Sequence, residues 1–378
     1  MVEVGTAAPH DEAIRRLAGR WLARVAADEG TRRAGGDFAC SPAGLWLALT
    51  AVAGGAAGAT AAELRGLLGV AGQDAAAAAT AVARRLGRCD ALSAVTGVWA
   101  RTPLYRAYRE SLPDIGFGQL GPEAAAELDR WVRAASGGMV ERLPVTLSPD
   151  VLLVLVNVLA FRARWESPFA PAATRPAPFT DAGGQRHEVP TMRTFLSPAD
   201  AWRVAGDGGP VDVAQLRCAV GAGEGRPAVV RCVLGAPGAP AASVLPAAWA
   251  APGARAGVVA DRVRVLLPRL TLRSRLAVLP HLSALGVRLA TSELADFSAL
   301  SPEPLSVGEV AQECVVALAE EGVRAAAVTV VPMAAGAAPR PARVHELAFD
   351  RPFGVVVLDG EGSVPLFTAW QATAPAGA

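Results

Sequence analysis

Histidine, cysteine and lysine carry most covalent and acid–base chemistry, and in this chain they are scattered or missing. The four histidines, His10, His187, His281 and His345, stand far apart, with none paired at metal-ligand spacing. The five cysteines (Cys40, Cys89, Cys218, Cys232 and Cys314) are odd in number and form no C-x-x-C pair. They read as reduced core residues, not as a disulfide framework. All 36 basic residues are Arg. A lysine Schiff base, a phosphate-loop lysine and a Ser-x-x-Lys pair are therefore impossible. No G-x-S-x-G or H-E-x-x-H occurs, and Gly221, Gly223 and Gly225 lead into Arg226-Pro227 as a turn would. The chain reads as a non-enzyme, with no cofactor and no metal.

Residues 313–353 offer a different chemistry, that of a segment made to be cut. Val315-Val316-Ala317-Leu318 is strand-like and meets Glu320-Glu321-Gly322. Val323 to Val331 is small or β-branched, with one charge and no aromatic; Pro332 to Arg343 is a Pro/Gly/Ala loop. Core-like sequence resumes at Phe349 and Phe353. A connection this long inside a compact domain is functional or disordered. Its first half has the composition of a central strand, and its second half offers a protease an accessible target.

The rest of the chain must position that segment. Of its 378 residues 52% are hydrophobic, enough for a sizeable core, and the net charge of +1 points to neither nucleic acid nor an anionic membrane. A helix is predicted over 11–35, and a second from Ser41-Pro42 to Gly54-Gly55, with Pro at its first turn. Thr60 and Glu63 have capping-box spacing for the next helix. Further helices are predicted over 73–87, 122–135 and around 276–285. Val151–Phe161 has the pattern of a strand buried on both faces, and shorter strands are expected at 211–218, 227–234, 261–267 and 353–358. Helices first and strands later, without a βαβ rhythm, indicate α+β. The Pro/Gly-rich stretch 235–257 is the best candidate linker, yet it divides nothing clearly, so a single domain over 1–378 is expected. The opening residues show no signal peptide and the longest apolar run is too short to span a bilayer, so a cytoplasmic protein is expected, with secretion left open.

Ten short motifs, in order along nearly the whole chain, resemble the serpin family. Asp37-Phe38-Ala39-Cys40-Ser41-Pro42 resembles its Asn-x-x-x-Ser-Pro opening, and Gly55-Ala56-Ala57-Gly58-Ala59-Thr60 its Gly-Ala-x-Gly-x-Thr turn. Leu128-Asp129-x-Trp131-Val132 is similar to Ile-Asn-x-Trp-Val. Leu155-Val156-Asn157 through Trp165-Glu166-x-Pro168-Phe169 is similar to Leu-Val-Asn…Lys-Trp-x-x-Pro-Phe. Val189-Pro190-x-Met192, Leu267-Pro268-Arg269, Leu285-Gly286 and Ala295-Asp296-Phe297-Ser298 follow. Phe349-Asp350-Arg351-Pro352-Phe353 and Pro365-Leu366-Phe367 close the series. With Ala, Gly and Arg so abundant, the chain resembles a bacterial-type member from a GC-rich genome.

The resemblance implies about three β-sheets, eight or nine helices and an exposed reactive-centre loop at about 320–345. It implies a metastable suicide substrate of serine or subtilisin-like proteases: once cut, the loop inserts into the central sheet and drags the acyl-enzyme with it. That insertion is an established example of strand addition in the family. Glu320, Glu321 and Gly322 would form the base of the hinge, followed by Val323, Arg324, Ala325, Ala326, Ala327, Val328 and Thr329. Strand side chains alternate faces, so Val323, Ala325, Ala327 and Thr329 would point inward and Arg324 outward. Trp165 and Arg269 would stand where the loop enters, Arg269 as partner of Glu320. Ser41 and Asn157 would hold the central strands, with Gln312 at the usual shutter His and Gly44 at the usual second Ser. Family spacing puts the bait bond at Gly336–Ala337; because the loop is long, Met333, Arg340 and Arg343 stay open as alternatives. A small bait residue implies an elastase- or subtilisin-like target and an Arg bait a trypsin-like one, met by a monomer. The alternative within the same fold is a non-inhibitory binding or structural protein.

Overall fold

The computed structural model describes residues 10–88, 92–142, 147–148, 150–162, 164–220, 227–320 and 342–375. Its first helix, Asp11–Ala27, buries Ile14, Leu17, Trp21, Leu22 and Val25. The single helix expected over 11–35 is in fact two. Asp28 is extended (ψ 139°), and its carboxylate accepts from Thr31 N, capping the short helix Glu29–Arg33. Ser41 caps the helix Pro42–Ala53 in the same way, its Oγ accepting from Gly44 N at 2.9 Å. Every residue of that helix is buried, which makes it the central rod of the molecule.

Thr60 and Glu63 do not form a capping box. Both lie inside the helix Gly58–Leu68, whose N-cap is Ala57. Thr60 Oγ1 accepts from Asp296 N at 2.9 Å, and the Glu63 carboxylate accepts from Leu289 N at 2.9 Å and Ala290 N at 3.3 Å. The acceptors serve orphan N–H groups of a distant turn instead of their own helix.

The strands form three sheets, and the fold is α+β. A seven-stranded sheet runs Phe38–Cys40, Pro365–Gln371, Phe353–Leu358, Val229–Leu234, Gly209–Arg217, Ala201–Gly206, Arg255–Gly257. A four-stranded sheet runs Val344–Ala348, Arg262–Pro268, Arg186–Leu196, Arg175–Thr180. The five-stranded sheet runs Leu270–Ala277, Val307–Leu318, Leu153–Arg162, Leu92–Ala100, Gly116–Gln119. Strands from either side of 235–257 pair with one another, as Arg262–Pro268 does with Arg186–Leu196.

Helices and strands are less segregated than the sequence pattern indicates. Leu92–Ala100 and Gly116–Gln119 lie among the early helices, and residues 276 and 277 close a strand before the helix Leu279–Leu285 begins. In the five-stranded sheet, Leu153, Leu155, Leu159 and Phe161 face the main core. Val154, Val156 and Val158 face a second cluster under the helix Ala124–Ala135, with Leu128, Val132 and Val315. Burial on both faces is why residues 153–161 read as one apolar run. Trp131 reaches from that helix onto the sheet, where a Cβ at Gly97 or Gly116 would meet its ring at 2.8 or 2.6 Å.

Candidate functional site at a seam between parallel strands

The strands Leu153–Arg162 and Val307–Leu318 are direct neighbours and run parallel; Val307 pairs with Leu153, the register shifts before Glu309, and it then holds from Glu309↔Val154 to Ala317↔Arg162. On their other sides each has an antiparallel partner. Two groups of polar residues lie along the parallel seam.

The first group stands at the head of the seam, where Val307–Leu318 ends. Arg269 lies at the corner where the chain leaves the strand Arg262–Pro268 of one sheet and enters Leu270–Ala277 of another. Its backbone N donates to Pro190 O at 2.9 Å. Its Nε donates to both oxygens of Glu320, at 2.8 and 3.0 Å, and Thr174 Oγ1 donates to the same carboxylate. The Glu320 carboxylate is buried (7% exposed), and Phe169 N donates to its main-chain oxygen at 2.9 Å. Burial works to raise its pKa, but the hydrogen bonds from Arg269 and Thr174 and the Arg269 charge together hold it below the usual range. Trp165 completes the group: its indole Nε1 donates to Ala319 O at 2.8 Å, and its ring meets Phe169 edge-on at 6.0 Å.

The second group crosses the middle of the seam. Register places Thr96, Asn157 and Gln312 in one row over three strands. Gln312 Nε2 donates to Asn157 Oδ1 at 3.0 Å and to Ser41 O at 2.9 Å, and its Oε1 accepts from Ser41 N at 2.9 Å. Asn157 Nδ2 donates to Thr96 Oγ1 at 2.9 Å, and Ser41 Oγ donates to Leu366 O. The row therefore ties the central helix to the strands on both sides of the seam. Gly44 makes room for it, because a Cβ there would stand 2.1 Å from Asn157 Oδ1. Gly44 and Gln312 thus form one matched pair: the glycine admits Asn157, and Gln312 spans from it to Ser41. No member of the row titrates in the ordinary range.

A charged residue lies on the opposite face. Glu313, fully buried, faces Arg273 at 3.3 Å and Arg275 at 3.5 Å from the neighbouring strand, and Arg273 also donates to Met139 O at 2.7 Å. Its Oε2 has no hydrogen-bond partner among the described residues. Burial raises the Glu313 pKa, against the opposing pull of Arg275 and Arg273.

The sequence model of the family Serpin (serine protease inhibitor) matches residues 12–218 and 252–371. The chain belongs to the serpin family. A rice (Oryza sativa subsp. japonica) sequence of the serpin-Z series is 28% identical over 402 residues, covering 91% of this serpin and 92% of its own length. The fold is similar to that of the thermophilic serpin tengpin in its native state, with a TM-score of 0.77 at 18% identity over 96% of this chain and 93% of tengpin. It is equally similar to human thyroxine-binding globulin solved with its ligand, at TM-score 0.77 and 19% identity over 97% and 99% of the two chains.

Of the site residues expected from sequence, the structure brings Trp165, Arg269 and Glu320 together at the head of this serpin's seam. It gathers Ser41, Asn157 and Gln312 in the middle. The hinge residues Glu321 to Thr329 and the bait positions Met333, Gly336, Ala337 and Arg340 lie outside the described residues, as does Cys89. Arg343 is described, and its main chain is held at both ends: its N donates to Asp261 Oδ2 at 2.7 Å and its O accepts from Asp261 N at 2.8 Å. Thr96, Thr174 and the matched role of Gly44 escaped sequence reasoning. Register alone reveals Thr96, and no local signal marks Thr174. Cys40, Cys218, Cys232 and Cys314 are buried, and burial pushes the Cys40 and Cys232 thiols up to about 12. Among the described residues no helix is long and apolar enough to cross a membrane.

Proposed function

We propose that this serpin is a suicide-substrate inhibitor of serine proteases, acting as a soluble monomer, whose cleaved loop enters the seam between Leu153–Arg162 and Val307–Leu318. The parallel pairing of those strands carries the proposal. A segment that turns after Glu320 and runs back between them would be antiparallel to both, exchanging one parallel ladder for two antiparallel ones. Antiparallel pairing is the more stable per residue, so the exchange has a driving force beyond the added hydrogen bonds. The inward set Val323, Ala325, Ala327 and Thr329 is small and uncharged, as a closely packed sheet requires.

In this reading the protease serine Oγ attacks the Gly336 carbonyl, an ester forms, and the Ala337 amine leaves with the C-terminal piece. Arg269 and Thr174 hold Glu320 at the entrance, and Trp165 grips Ala319 just before it. Gln312 and Asn157 must release each other as the strand passes. The fixed main chain of Arg343 favours Gly336–Ala337 over Arg343 as the bait bond, and hence a target with a small specificity pocket.

Incubation with elastase-, subtilisin- and trypsin-like proteases tests the proposal. A covalent complex that survives detergent is expected with the first or second. Cleavage of the loop without a complex, by all three, would contradict it. That outcome would favour a non-inhibitory carrier, a reading supported by a cleft of about 690 Å³ lined by Phe38, Trp370, Asp181 and Arg351. Thyroxine-binding globulin, with the same fold, was solved with thyroxine bound.

A further inference from the structure

The outer face of the four-stranded sheet carries an aromatic ring that the core does not use. Phe195 is 49% exposed near the end of the strand Arg186–Leu196. Register sets it beside Arg264, which in turn lies beside Glu346. The Arg262 and Arg264 guanidinium carbons stand 5.9 and 5.4 Å from its ring centroid, within cation–π range. Arg193 and Arg343 extend the positive field. Arg264 pairs with Glu346 at 3.4 Å and Arg343 with Asp261 at 4.0 Å; among the described residues no carboxylate pairs with Arg262 or Arg193. Beside Phe195 opens a cleft of about 180 Å³ between Thr194–Leu196 and the turn Trp165–Ser167.

The position of this face matters because Val344–Ala348 is the strand by which the loop rejoins the body. Arg262 pairs with Val344, so the patch lies at the end nearest the loop. Six residues separate Ala337 from Val344, so the seven steps between them reach at most about 25 Å. Phe195 is two strands across from Val344–Ala348, about 10 Å away. A protease domain about 40 Å across that attacks the bait bond must cover or abut this face.

We propose that Phe195, Arg262 and Arg264 form a second docking surface for the target protease, recognising acidic side chains beside its active-site cleft; this rests on the inhibitor reading. A half-exposed aromatic ring flanked by arginines has the composition of a binding hot spot. Surplus positive charge at the rim acts chiefly on the rate of encounter with an acidic partner.

Two variants test it, Phe195→Ala and the double substitution Arg262→Glu with Arg264→Glu, each first checked for an unchanged melting midpoint. The readout is the second-order rate of loop attack, followed as loss of intact chain. The probes are a subtilisin-type protease of acidic surface and an elastase-type protease of basic surface. With the acidic protease both variants should react about tenfold more slowly, while the number of molecules consumed per protease inactivated stays unchanged. Raising salt from about 0.05 to 0.5 M should slow the parent chain and spare the double variant. Rates within twofold of the parent for both proteases would overturn the proposal. Loss of heparin binding by the double variant, with protease rates unmoved, would also overturn it and assign the patch to a sulfated polysaccharide. Failure of the inhibitor reading would show separately, as cleavage without a covalent complex, because the rate ratio is read either way.

Discussion

The two parts of the hydrogen-bonded lock on this seam are built from different chemistry. At the head, Arg269, Thr174 and Glu320 make a charged clamp. In the middle, Ser41, Gln312, Asn157 and Thr96 make a neutral row. A clamp whose carboxylate is held below its usual pKa answers to acid; a row of amides and hydroxyls does not. The difference separates two jobs: holding the place where an inserted strand would begin, and keeping closed the path it would follow.

The largest effect is expected at the clamp. Arg269→Ala leaves the Glu320 carboxylate buried without its cation, a loss of about 3 kcal/mol that thermal melting should register at neutral pH. The pH profile follows from the lowered Glu320 pKa. Its support is complete above the unfolded carboxylate pKa and is lost as pH falls through the folded value. Glu313 works in the opposite sense: its pKa is raised, so its contribution is complete below the unfolded value and is lost as pH rises through the folded one. Glu320→Gln should therefore flatten the acid limb of the stability curve, while Glu313→Gln should leave that limb and remove the loss that sets in as pH rises above the unfolded carboxylate value. The same acid limb in Glu320→Gln as in the parent chain would show that the clamp is not what acid releases.

A smaller effect is expected in the row. Gly44→Ser forces a Cβ against Asn157 Oδ1 and should destabilise the chain by about 1–3 kcal/mol. Pairing it with Gln312→His tests whether the two positions are matched. A double variant closer to the parent than the sum of the singles would sharpen that account, and simple additivity would break it.

The smallest effect sets row against clamp. Gln312→His alone should melt near the parent value at pH 8 and about 1 kcal/mol below it at pH 5.5, because a buried imidazole resists charging. The parent row should show no transition in that window.

Much of this was legible in the residues, and the exceptions have causes. Leu153–Arg162 stood out because both faces are buried. Leu92–Ala100, equally central, did not, because Ser93, Thr96 and Gly97 interrupt its apolar pattern: Thr96 belongs to the row and Gly97 admits Trp131. Thr60 and Glu63 had the right spacing for a cap, yet a short polar side chain satisfies whichever orphan N–H comes nearest, and here tertiary structure brought Asp296, Leu289 and Ala290. The clamp was half legible: the pairing of Arg269 with Glu320 followed from the family resemblance, while Thr174, far away in sequence, became visible only in space.

The central claim is that a cut loop completes the sheet at the parallel seam. The most direct measurement is the melting midpoint before and after limited proteolysis confined to residues 333–340. The account predicts a rise of at least roughly 10 °C, equivalent to several kcal/mol in a chain of this length. Substituting Val323→Arg, inward on the hinge, should abolish that rise, and Ala326→Arg, on the opposite face, should leave it. An unchanged or lower midpoint after cleavage of the parent chain would contradict the account.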